Sequence, residues 1–148
     1  MTPDTFFDLF VDSVFCDVRT RPKTTKALMT LCQRVPDETI NEWPRIVVFA
    51  PDPSLYGSCV GLKPSDLESD DAFIYLSPSL ERHSQAEVDF SVAHEFAHAA
   101  LRHHLAENMT LSTEEVKKGY LGWNSEVAAD KLVEDWGFTI PKRRKRRR

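Results

Sequence analysis

The sequence predicts an α+β domain in which a small mixed or antiparallel sheet packs on one long buried helix, with further helices around it. Three observations lead there. Helical and strand-like patterns are segregated along the chain rather than alternating. Two β-branched or apolar runs lie at 45–49 and 72–76, each bounded by proline or polar residues. Residues 84–106 contain neither Gly nor Pro and open on a capping box, Ser84-Gln85-Ala86-Glu87.

Each element has a local reason. Thr2 is placed to cap a helix with Pro3 at its first position, and Phe6, Phe7, Phe10, Val11, Val14 and Phe15 recur at helical spacing through about Val18. After a break at 19–23, Ala27, Leu28, Leu31, Cys32 and Val35 form a second amphipathic pattern that Pro36 stops. Strands are expected at 45–49, at the glycine-punctuated 56–62, and at 72–76, which Ser77-Pro78 closes. The long helix over 84–106 follows. A second Ser-x-x-Glu, Ser112 to Glu115, predicts a short helix, and 125–136 a last one that stops at Gly137.

With 148 residues, 41% of them hydrophobic and 28% charged, the chain has the composition of a domain with a real core, here expected over residues 1–141. Its apolar runs fall far short of the ~20 residues that cross a bilayer, so no membrane contact is expected. The opening residues mix Phe6 and Phe7 with Asp4 and Asp8 and lack the basic start and apolar stretch of a signal peptide, which points to the cytoplasm. Cys16, Cys32 and Cys59 have no paired spacing, which excludes a disulfide framework and a Cys-x-x-Cys zinc knuckle. The net charge of −4 hides two populations: seven of the 19 basic residues form the run 142–148, and the remaining 12 stand against 23 acidic residues. The body over 1–141 thus carries −11, and 142–148 reads as a disordered polybasic tail through which any nucleic acid or other polyanion would be met.

The chemistry concentrates in His94-Glu95-Phe96-Ala97-His98, an H-E-x-x-H pattern inside the long helix. Residues four apart lie about 40° apart around a helix, so both imidazoles reach one ion while Glu95 is turned toward its open position. A chance match in a chain of this length is on the order of 0.4% at background frequencies. On the helical wheel Ser91, His94, Glu95, His98 and Arg102 fall within one arc of roughly 100°, and Val88, Phe90, Val92, Ala93, Phe96, Ala97, Ala99, Ala100, Leu101 and Leu105 cover much of the rest. A helix that is apolar nearly all round is expected to be buried, and its polar stripe then needs partners, which a metal ion supplies. Without a metal, the stripe is two satisfied core histidines and a Glu95–Arg102 ion pair.

A third protein ligand has three candidates. His104 stands at the metzincin spacing, but the glycine that breaks a metzincin helix is Leu101 here, and in an unbroken helix His104 points about 80° to the other side of His94. His103 points about 180° away. Cys59 resembles the upstream cysteine of peptide deformylase, without the Glu-Gly that precedes it there. Glu126 lies 28 residues after His98, and Asp130 shares its helix face, so that one carboxylate can bind an ion while the other accepts from a ligating imidazole.

In this H-E-x-x-H followed by Glu126-x-x-x-Asp130 the sequence resembles gluzincin-type metallopeptidases, most of all the small intracellular enzymes of the ImmA/IrrE type. The pattern of a strand, a Ser-Pro turn, a long helix with Ala-His-Glu-x-x-His and then Glu-x-x-Ala-Asp maps onto 74–78, 93–98 and 126–130, within a resemblance that spans 72–138. It implies a minimal zincin-like domain and one Zn²⁺ per chain, with His94, His98 and Glu126 as ligands, Asp130 behind them and Glu95 as general base. It also implies a protein or peptide substrate, with 73–76 as the edge on which an extended peptide adds. Tyr120 and His104 are candidates for stabilising the transition state, and spacing does not decide between them. Two other functions fit the same residues: a nucleic-acid-associated protein whose zinc site is a scaffold and whose tail makes the contact, and a deformylase-like metal amidohydrolase using Cys59.

Overall fold

The computed structural model describes residues 1–16, 21–50, 72–101 and 120–141. In chain order these form α1 (Pro3–Phe10), β1 (Val11–Cys16), α2 (Pro22–Arg34), α3 (Asp37–Asn41), β2 (Ile46–Ala50), β3 (Ala72–Tyr75), a 3-10 turn (Pro78–Arg82), α4 (Gln85–Ala100) and α5 (Tyr120–Asp135). None of the helices among the described residues is long and apolar enough to cross a membrane.

The α+β expectation with a mixed or antiparallel sheet is corrected by this architecture. Helix dominates the described residues, and the three short strands, in the order β1-β2-β3, pair only in parallel. The cause lies in Val11–Cys16, whose apolar residues also fit a helical wheel. Helix α1 instead ends at Phe10, and the next residues pair with β2, Val11 opposite Val48 and Cys16 opposite Ala50. Parallel neighbours need a crossover of a dozen or more residues, and α2 and α3 supply it between β1 and β2. Helix α3 has no counterpart among the sequence expectations; Pro36 stops α2 and then caps this short turn. The long helix expected over 84–106 ends at Ala100, with Leu101 as its C-cap, and the last helix, expected over 125–136, begins earlier, at Tyr120. The predicted strand at 56–62, helix at 112–115, residues 102–106 and the polybasic tail lie outside the described residues.

The strands turn one face inward: Ile46 and Val48 of β2, and Ala72 and Ile74 of β3, are buried, as is Leu76 just beyond. Against them stand Phe6, Phe10, Leu28, Leu31, Val92 and Phe96 from α1, α2 and α4, all in one cluster. Fully burying each of the larger aliphatic side chains stabilises the fold by about 1.5–3 kcal/mol. An aromatic group anchors its centre: the Phe96 ring lies 5.8 Å from Phe6, 6.1 Å from Phe10 and 5.6 Å from Trp43, and Trp43 lies 5.7 Å from Trp136, within the 4.5–7 Å range of favourable ring pairs.

Helix termini tie the layers together. Arg21 offers no side-chain cap to α2; the Glu81 carboxylate of the 3-10 turn accepts instead from the backbone N–H groups of Lys23 at 3.2 Å and Thr24 at 2.9 Å. The buried Arg21 guanidinium donates to the Leu76 carbonyl at 2.6 Å, at the end of β3. Ser84 caps α4 by accepting from Glu87 N at 3.3 Å, while the Glu87 carboxylate pairs with His83 at 3.1 Å. Helix α5 closes with a Schellman motif in which Phe138 N donates to Val133 O, Gly137 N donates to Glu134 O, and Gly137 takes φ +93°. Arg34 at the end of α2 donates to Gly137 O at 2.8 Å and covers the Phe138 ring at 4.6 Å, so α2 holds the end of α5 in place.

Candidate metal centre

Helix α4 buries most of its circumference, and along it Phe90, His94 and His98 follow one another at intervals of four residues, on one stripe. Phe90 and His94 are buried at 4% and 6% exposure, whereas the His98 side chain retains 20%. Burial therefore decreases along the stripe toward the C-terminal end of α4. Helix α5 packs on this region, with Ala129 and Val133 buried, and carries Glu126 and Asp130 on one face.

The two helices bring their polar groups to one point. Nε2 of His94 lies 2.9 Å from Oε2 of Glu126, Nε2 of His98 lies 3.1 Å from Oε1 of Glu126, and the two Nε2 atoms are 3.0 Å apart. These donor atoms of His94, His98 and Glu126 all lie within 4.8 Å of one another. On the far side of the His94 ring, Nδ1 is 2.8 Å from Oδ1 of Asp130, a carboxylate that is 1% exposed. Spacing alone left open which carboxylate does which. In the fold Glu126 spans both Nε2 atoms and Asp130 sits behind His94.

This donor set suits a metal ion. Two ring nitrogens at 3.0 Å, with carboxylate oxygens beside them, bring together lone pairs that repel unless a proton or cation lies among them. Two imidazoles and one carboxylate are a donor set of hydrolytic zinc. Tetrahedral bonds of about 2.0–2.1 Å need ligand atoms roughly 3.3 Å apart, so the edges found here fall short by about 0.2–0.4 Å, a change that small side-chain rotations supply. Asp130 completes the pattern in which a ligating imidazole turns its other nitrogen to a carboxylate, fixing tautomer and direction.

Glu95 lies on the exposed side of α4, next to His94 in the chain. Of the remaining sequence candidates, Tyr120 belongs to α5 by its backbone, its side chain being outside the described residues, and Cys59, Arg102, His103 and His104 are outside them altogether. One participant escaped the sequence reading. Phe90, assigned there to the apolar face, lays its ring along the His94 imidazole with 5.6 Å between centroids and 30° between planes; the signal that would have found it is its place one turn before His94 on the same stripe.

No protein-family model, no curated protein and no solved structure matches the chain, so the case for its function rests on the geometry and chemistry of these side chains.

Proposed function

We propose that this protein is a zinc-dependent metallopeptidase of the gluzincin type, similar to the ImmA/IrrE enzymes, that hydrolyses peptide bonds of an intracellular protein substrate. The observation that carries the reading is the meeting of His94, His98 and Glu126 from two helices, with Asp130 at the back of His94. Zinc in that position supplies a Lewis acid for the peptide carbonyl and lowers the pKa of water toward about 7.

The chain's own groups have separate tasks. His94, His98 and Glu126 present the ligand atoms, and Asp130 keeps the His94 proton on Nδ1 so that Nε2 offers a lone pair. Glu95, on the solvent side of the same helix, accepts a proton from the attacking water as the C–O bond forms, then returns it to the amine nitrogen as the C–N bond breaks. Both proton transfers suit a carboxylate that substrate and water can reach.

Metal analysis and peptide cleavage by wild type and Glu95→Gln test this assignment. Wild type is expected to hold about one zinc per chain, and the variant to keep the metal and the fold while losing cleavage by at least about 10²-fold, because an amide does not accept the proton. A metal-free wild type, or a Glu95→Gln variant of full activity, refutes the proposal.

A further inference from the structure

The ring of Phe90 has a specific relation to His94 that burial in a core does not require. His94 is bracketed along α4: the Phe90 ring, one turn earlier, stacks on it at 5.6 Å and 30°, and the His98 ring, one turn later, meets it edge-on at 4.5 Å and 88°. Asp130 holds Nδ1 at 2.8 Å. A contact at one ring atom directs an edge of the imidazole, while contact with its face resists tilting of the ring plane. Together they determine where Nε2 points, and Nε2 is the atom that faces Glu126 and His98.

We infer that Phe90 is a positioning residue of the metal centre, holding the His94 imidazole in the plane that sends Nε2 to the common point of the three ligands. The inference rests on the metal-binding reading of His94, His98 and Glu126 and adds a residue that binds nothing itself. The ring acts through shape. It closes the side of His94 away from His98, leaving the His94 side chain 8% exposed, and removes the tilted orientations that an aliphatic side chain of similar bulk would admit. Phe96 provides the comparison within the same helix: it is fully buried, yet its ring partners are Phe6, Phe10 and Trp43.

The test uses the full chain as wild type, Phe90→Leu, Phe90→Tyr and Phe96→Leu, each checked for helical circular dichroism and thermal unfolding. Zn²⁺ affinity is measured by competition with a chromophoric chelator, and the visible absorption of the Co²⁺-loaded proteins reports ligand geometry. Phe90→Leu is expected to bind Zn²⁺ about tenfold more weakly, the lower end of what loss of an outer support costs, with altered Co²⁺ bands. Phe90→Tyr, which keeps the ring, restores both readouts, and Phe96→Leu loses thermal stability while keeping wild-type affinity and spectrum. If Phe90→Leu does not fold, Phe90→Met takes its place. Wild-type affinity and spectrum in the folded Phe90 variant, or equal changes in Phe96→Leu, overturn the inference and leave the metal site standing. A wild type that binds neither ion overturns the metal site, and the inference with it.

Discussion

Asp130→Asn exchanges one carboxylate oxygen for an amide at a position 1% exposed and 2.8 Å from His94 Nδ1, so the change is almost purely electronic. A carboxylate only accepts, which keeps the imidazole proton on Nδ1; an amide can also donate to Nδ1, and the proton then sits on Nε2, where it blocks the ligand lone pair. Loss of such an outer partner costs roughly 10–100-fold in metal affinity, or about 1.4–2.7 kcal/mol. At a free zinc concentration about 1,000 times the wild-type Kd, zinc stabilises the folded protein by about 4.1 kcal/mol, and a tenfold weaker site leaves about 2.7. With about 2–4 °C per kcal/mol for a chain of this size, the zinc-induced rise in Tm is expected to shrink by roughly 3–10 °C. Thermal unfolding with zinc and with chelator gives that rise for each protein, and chelator competition gives the Kd. A variant whose Kd stays within about twofold of wild type refutes the role given to Asp130.

Five further substitutions probe the site and the elements around it. Glu126→Ala removes the carboxylate that spans both Nε2 atoms and is expected to abolish stoichiometric zinc on dialysis, whereas Cys59→Ala and His104→Ala retain it; the reverse pattern would hand the site to a deformylase or metzincin arrangement. Glu81→Gln weakens the cap that the 3-10 turn lends to α2, with an expected loss of about 0.5–2 kcal/mol in urea unfolding near pH 7. Burial pushes the Glu81 carboxyl up, but the backbone N–H groups of Thr24 and Lys23 and the Lys23 charge outweigh it and hold the group below its ordinary value. Its contribution is therefore present above the unfolded-state pKa and lost as pH falls through the lower folded one, so the gap between wild type and Glu81→Gln narrows in acid; a gap that widens contradicts the cap. Gly137→Ala meets no atom within 4 Å of the added Cβ, yet at φ +93° it is expected to cost about 1–2 kcal/mol from backbone conformation alone, and an unchanged Tm would contradict that assignment.

Much of what surrounds the candidate site is local in origin and legible in the residues themselves. Ser84 capping α4, the Gly/Pro-free run behind it, and Gly137 ending α5 are decided within a turn or two of each position, which is why the start of α4 and the end of α5 stand where the amino-acid pattern puts them, whereas α4 stops at Ala100 rather than 106 and α5 begins at Tyr120 rather than 125. The same holds for the common stripe of His94 and His98 and the shared face of Glu126 and Asp130, which follow from helical repeat alone. Contacts between distant segments required the folded chain. Val11–Cys16 fits a helical wheel as well as a strand, and only pairing with β2 makes it β; that pairing, with α2 and α3 as the crossover, replaces the expected mixed or antiparallel sheet by parallel strands in a mainly helical architecture. Glu81 reaches across 57 residues to cap α2, and nothing near Pro22 announces it. The crossing of α4 and α5 likewise assigns Glu126 to Nε2 and Asp130 to Nδ1, a choice that spacing leaves symmetric. Local preferences are settled by hydrogen bonds and side-chain contacts one turn apart, whereas the register of strands and the crossing of helices depend on which apolar faces can be buried together, a property of the whole chain.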